Sequence, residues 1–123
     1  MSVPTPDWLG SVKVQIEEFA LLRSGWDSYK ARPISMGTRS AAFQLILDLV
    51  TENTPPPSVV PASDGTIQFE WHTKGIDLEI RILSMTKIEV AFEDSRGQAE
   101  SVEGQFEYDF RRLASVMNIL STR

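Results

Sequence analysis

Between Gln68 and Glu93 the chain carries Glu70, His72, Asp77, Glu79 and Glu93 within segments whose apolar residues alternate with polar ones. Successive strand side chains point to opposite sides, so this spacing lines the carboxylates and the imidazole along one face of a sheet. Such a set could hold a divalent cation, act as a general acid–base pair, or form an anionic docking surface.

The apolar pattern sets the register, because a slip of one residue would turn the inward set outward. Trp71 opposite Leu78 also places Phe69 opposite Ile80 and Ile67 opposite Ile82. Across the next turn, Ile82 meets Ile88, Ile80 meets Val90 and Leu78 meets Phe92. On the polar side, His72 then stands beside Asp77 and Glu93, Glu70 beside Glu79, and Gln68 beside Arg81 and Glu89. Glu70, Asp77, Glu79 and Glu93 share one patch, with Lys74, Arg81 and Lys87 as nearby cations. Like charges directly opposite each other are destabilising, and a basic partner surface would give the Glu70 and Glu79 pairing a purpose.

Catalysis finds less support. Period-two alternation lines up carboxylates by chance, so no metal ligand set is assigned, and an open face gives no cleft in which one carboxyl could be held protonated. His72 is the only histidine and reads as an ordinary exposed strand residue. No Gly-x-Ser-x-Gly elbow, Gly-x-Gly-x-x-Gly turn or Gly-Lys-Ser/Thr phosphate loop is present. No catalytic residue and no cofactor are therefore expected.

A second chemical feature is Gly25-Trp26-Asp27-Ser28-Tyr29, two aromatic residues around an acid in a polar stretch. Asp27 can accept backbone N–H bonds and set the turn while the rings cover the core. Alternatively Trp26, Tyr29 and nearby Arg32 are the residue types that anchor interfaces.

Gly25-Trp26-Asp27-x-Tyr29-x-Ala31, followed by Pro61-x-x-Asp64-Gly65-x-Ile67-x-x-Glu70-Trp71, resembles a set of uncharacterised short bacterial proteins. In these a Gly-Trp-Asp-x-Tyr loop precedes a Pro-x-x-Asp-Gly turn and a Glu-Trp strand. The likeness covers roughly residues 20 to 82, and Ala62-Ser63 departs from it where threonine is expected. It implies a bacterial origin and no particular chemistry.

The elements that position these residues follow from periodicity. Pro4 and Pro6 mark an extended arm over residues 1–7, with Asp7 as N-cap. Trp8, Val12, Ile16, Phe19 and Ala20 predict a helix from about Trp8 to Arg23, stopped at Gly25. Ser35 caps a second helix with Ala42, Leu45, Ile46, Leu49 and Val50 on one stripe, ended by Thr54-Pro55-Pro56-Pro57. The period then changes to two: a short strand at Val59 and Val60, strands around Thr66–His72, Ile76–Ile82 and Ile88–Phe92, and a weak edge strand over Ala99–Glu103. Phe106, Phe110, Leu113, Met117 and Leu120 predict a C-terminal helix. Short turns make neighbouring strands antiparallel. The expected fold is a single α+β domain over residues 1–123, a two-layer sandwich with a meander of four or five strands and all three helices on one face.

Composition narrows the function. The formal charge is −5, and twelve of the seventeen acidic side chains fall after residue 50 against seven basic ones. That argues against binding nucleic acid through its phosphates. The absence of cysteine excludes disulfides and thiolate sites. No apolar run approaches the roughly 20 residues that span a bilayer, and the first residues lack the features of a signal peptide, so no membrane partner and a cytoplasmic location are expected. The leading expectation is a small acidic protein, antitoxin-like or inhibitor-like, that binds a basic protein through the carboxylate face. The alternative is a ligand-binding or enzymatic domain with a pocket between the Gly25–Pro33 loop and the Glu70–Trp71 strand, lined by Trp26, Tyr29 and Trp71 with Asp27, Arg32 and Glu70 as polar groups. A homodimer paired through the Ala99–Glu103 edge is a third.

Overall fold

A computed structural model describes residues 4–107 and 111–123. Helix α1 (Leu9–Glu18) runs into a 3₁₀ turn (Phe19–Leu21), and helix α2 (Met36–Leu49) follows the Gly25–Pro33 loop. Strands β1 (Ser58–Pro61), β2 (Ile67–Thr73), β3 (Ile76–Ile82), β4 (Lys87–Asp94) and β5 (Val102–Glu107) precede helix α3 (Arg111–Thr122). The strands pair in chain order, every pair antiparallel. The α+β sandwich expected from the sequence is the observed architecture.

The register of β2, β3 and β4 matches the one read from the apolar pattern at each pair named above. Its cause lies in the core. Ile67, Phe69, Trp71, Ile76, Leu78, Ile80, Ile82, Ile88, Val90 and Phe92 are all buried against Val12 and Ile16 of α1, Ala42, Leu45 and Ile46 of α2, and Leu113, Val116, Met117 and Leu120 of α3. Shifting one strand by a residue would exchange these for Glu and Arg, and each large side chain returned to water forfeits about 1.5–3 kcal/mol.

Local chemistry fixes the joints. Lys74 and Gly75 both take positive φ, +55° and +75°, the twist that a two-residue hairpin needs. Ser35 caps α2 by accepting the Thr38 N–H at 3.1 Å. The Trp8 and Trp71 indoles donate to the carbonyls of Thr54 and Pro55, each at 2.7 Å. A half-buried ring, Trp8, and a buried one, Trp71, thus pin the proline-rich exit of α2. At the same end of the sheet Arg123 holds both Asp94 oxygens at 2.8 Å, while Asp94 also accepts the Arg96 and Gln98 N–H groups. That fork ties the end of α3 to the β4–β5 turn.

Several boundaries differ from the sequence expectation. Trp8 rather than Asp7 occupies the N-cap of α1, with no side-chain cap bond; the Pro6 carbonyl takes the Leu9 N–H instead. Helix α1 stops at Glu18 rather than Arg23, and the chain tightens into the 3₁₀ turn. The edge strand lies at Val102–Glu107 rather than Ala99–Glu103, so Phe106 belongs to β5 opposite Ile88 and not to the last helix. Phe110, which the sequence placed on that helix, lies outside the described residues.

Candidate functional site

The helices cover one face of the sheet and the predicted acidic residues occupy the other. Alternation in β2 turns Phe69 and Trp71 inward and leaves Gln68, Glu70 and His72 on the open side. In β3 the outward residues are Asp77, Glu79 and Arg81, and in β4 Glu89, Ala91 and Glu93. The four carboxylates grouped from the sequence therefore do share a surface. Glu70 faces Glu79 and Asp77 faces Glu93 across neighbouring strands.

The patch has internal structure. His72 Nδ1 lies 2.7 Å from Asp77 Oδ1, and its Nε2 is 4.0 Å from Glu70 Oε2. The Asp77 hydrogen bond raises the His72 pKa above its ordinary value; desolvation opposes this, and the charges of Asp77, Glu70 and Glu79 act in the same upward direction. Gln68 donates its amide to Glu70 and accepts from Arg81 at 3.3 Å. Glu70, His72 and Glu79 each turn one donor atom to within 4.8 Å of the others. Among the described residues, these three are the ones on this face that could meet at a divalent cation.

Glu103 joins the surface although the sequence reading did not include it. In β5 it stands opposite Ala91, which in turn stands opposite Glu79. A methyl group between two carboxylates leaves the sheet low at that point. Two shallow hollows, about 240 and 360 Å³, open there and share Glu79, Ala91 and Glu103 in their walls. The signal available from the sequence was the outward alanine amid glutamates; the misplaced edge strand hid its second neighbour.

Trp26, Tyr29 and Arg32 lie elsewhere. Asp27 Oδ1 accepts the N–H groups of Tyr29 at 2.9 Å and Ala31 at 3.1 Å. The Gly25 N–H reaches the Ala31 carbonyl, and the Trp26 indole donates to the Arg32 carbonyl, both at 2.7 Å. The loop is closed on itself. Arg32 N–H then donates to Ser63 O at 2.8 Å, and a Cβ on Gly65 would come within 3.3 Å of the Pro33 carbonyl. The two sequence motifs thus meet as loop against turn, with Asp64 held by the Thr66 hydroxyl, whose hydrogen bond lowers its pKa. Tyr29 is left 78% exposed. The structure does not bring Trp26, Tyr29 and Trp71 around one pocket with Glu70: Trp71 is buried in the core and Glu70, its neighbour in the strand, points to the opposite face.

Comparison with known protein families, curated proteins and solved structures finds no match. Among the described residues, no helix is long and apolar enough to cross a membrane.

Proposed function

We propose that this protein binds a basic protein surface through the open face of its sheet. The observation that carries the reading is the pairing of like charges on the uncovered face, Glu70 against Glu79 and Asp77 against Glu93. Each such pair costs a few tenths of a kcal/mol in the free protein. A partner's lysine or arginine placed between the carboxylates turns that cost into attraction.

Size sets the character of the contact. Five strands at about 4.8 Å spacing and six residues at about 3.3 Å rise give a face of roughly 500 Å², below the roughly 800 Å² per partner of a standard stable interface. Affinity then rests on charge more than on apolar burial. Association is steered, fast and salt-sensitive.

The test is capture from a bacterial lysate at low and high salt, comparing the wild type with a Glu70→Lys, Glu79→Lys double variant. Support requires a protein with a basic surface that the wild type retains at low salt and the variant loses, and that binds again when purified. Equal retention by the variant rejects this face.

A further inference from the structure

The two edges of the sheet are built differently. β1 is four residues long and ends on Pro61, which has no N–H for another strand to use. β5 is six residues long, Val-Glu-Gly-Gln-Phe-Glu, with neither proline nor lysine. Among the described residues no strand pairs with its outer side. An edge of this kind templates the addition of another strand.

The sequence of β5 says which strand fits. About Gly104 it is nearly symmetric. Val102 and Phe106 stand at equal distances from the glycine, on the core side with Phe92 and Ile88, and both are only half-buried. Glu103 and Gln105 flank the glycine on the open side and are exposed. We propose that β5 pairs antiparallel with β5 of a second copy of this chain about a two-fold axis at Gly104, joining the two sheets into one.

In that register Val102 meets Phe106 of the second copy, burying edge surface on both, and Glu103 meets Gln105 of the second copy, an amide donor for the carboxylate. Each pair occurs twice by symmetry. The neighbouring registers that keep the core faces together are worse. A shift one way sets Glu103 directly against Glu103, and a shift the other way sets Gln105 against Gln105 and takes the amide donor away from Glu103. Like charges opposite each other are destabilising, so charge selects the symmetric pairing. Gly104 suits the axis because its φ of +151° is one that side-chain-bearing residues rarely adopt, and the absence of a Cβ lets the backbones approach.

Salt separates this contact from docking on the acidic face. Two copies of a chain with net charge −5 repel at long range, so added salt strengthens self-association, whereas it weakens binding to a basic partner. One six-residue strand from each copy makes a small interface, so the dimer is a weak one.

Sedimentation equilibrium of the full chain from about 10 μM to about 1 mM, at low and high salt, tests the proposal. The expected result is a 13.8 kDa species that moves toward twice that mass with concentration, and further with salt. Gln105→Lys, which sets a cation against each Glu103, tightens the dimer about tenfold, and Gln105→Glu loosens it about tenfold. Within one chain residue 105 stands opposite Glu89, to which its amide donates, so the two variants shift the melting temperature by a few degrees in opposite directions, and a cooperative transition in each dilute variant confirms that the fold is intact. The proposal is overturned if wild type and Gln105→Lys stay monomeric throughout, if neither variant changes the dimer, or if salt dissociates it.

Discussion

Replacing Glu79 by Gln should stabilise the free protein, and the size of the gain follows from its position. Glu79 lies opposite Glu70 on the open face of neighbouring strands, where side chains stand about 5 Å apart. At that distance in a water-like dielectric two carboxylates repel by about 0.8 kcal/mol. With a Debye length of about 30 Å at about 0.01 M salt most of this survives, about 0.7 kcal/mol; at 1 M, with a length of about 3 Å, about 0.15 kcal/mol remains. Unfolding entropy of about 2.1 cal/mol/K per residue over 123 residues converts the low-salt figure into a rise in Tm of about 3 °C, and the high-salt figure into less than about 1 °C. The assay is thermal unfolding of both proteins near pH 8.5. Alkaline pH lowers the charge on His72, whose protonated form attracts Glu79 and whose pKa is raised. A variant no more stable than wild type at low salt, or a gain that salt leaves unchanged, would show that the two carboxylates do not repel across the strands as the register implies.

Other consequences can be checked in the same way. Ile80→Ala, at a fully buried position in the central strand β3, should lower unfolding free energy by about 3–4 kcal/mol in urea titration. Asp27→Ala strips the acceptor from the Tyr29 and Ala31 N–H groups, costing about 1–2 kcal/mol and speeding hydrogen exchange within residues 25–33 but not in β3. Arg123→Ala should destabilise the protein at neutral pH, because Arg123 holds the Asp94 carboxyl below the usual range. A depressed carboxylate contributes stability above its unfolded pKa of about 4 and loses it as pH falls through the folded value. The difference between wild type and variant should therefore shrink on acidification below about pH 4.

Legibility in the sequence followed the strength of the local signal. The register of β2 to β4 was readable to the residue because Ile67-Phe69-Trp71, Ile76-Leu78-Ile80-Ile82 and Ile88-Val90-Phe92 alternate without interruption, and only one register keeps all of them inside. The second half of the chain held two overlapping patterns. Phe106, Phe110, Leu113 and Met117 repeat at helical spacing, while Val102, Gly104 and Phe106 repeat at spacing two; the helical reading took Phe106, and with it the position of β5 and the place of Glu103. Pairing with Ile88 decided the matter, a contact across 18 residues that no local period reveals. The Arg123–Asp94 fork was invisible for the same reason. Glu70 and Trp71 were readable as opposite-facing neighbours, and alternation alone argues against a pocket that uses both.

The most direct test of the acidic-face account is a calorimetric titration of the captured partner, once purified, against wild type and the Glu70→Lys, Glu79→Lys variant at two salt concentrations. The account predicts a loss of affinity of about hundredfold or more at low salt, narrowing as salt screens the pair. Equal affinities for the two proteins at low salt would contradict it.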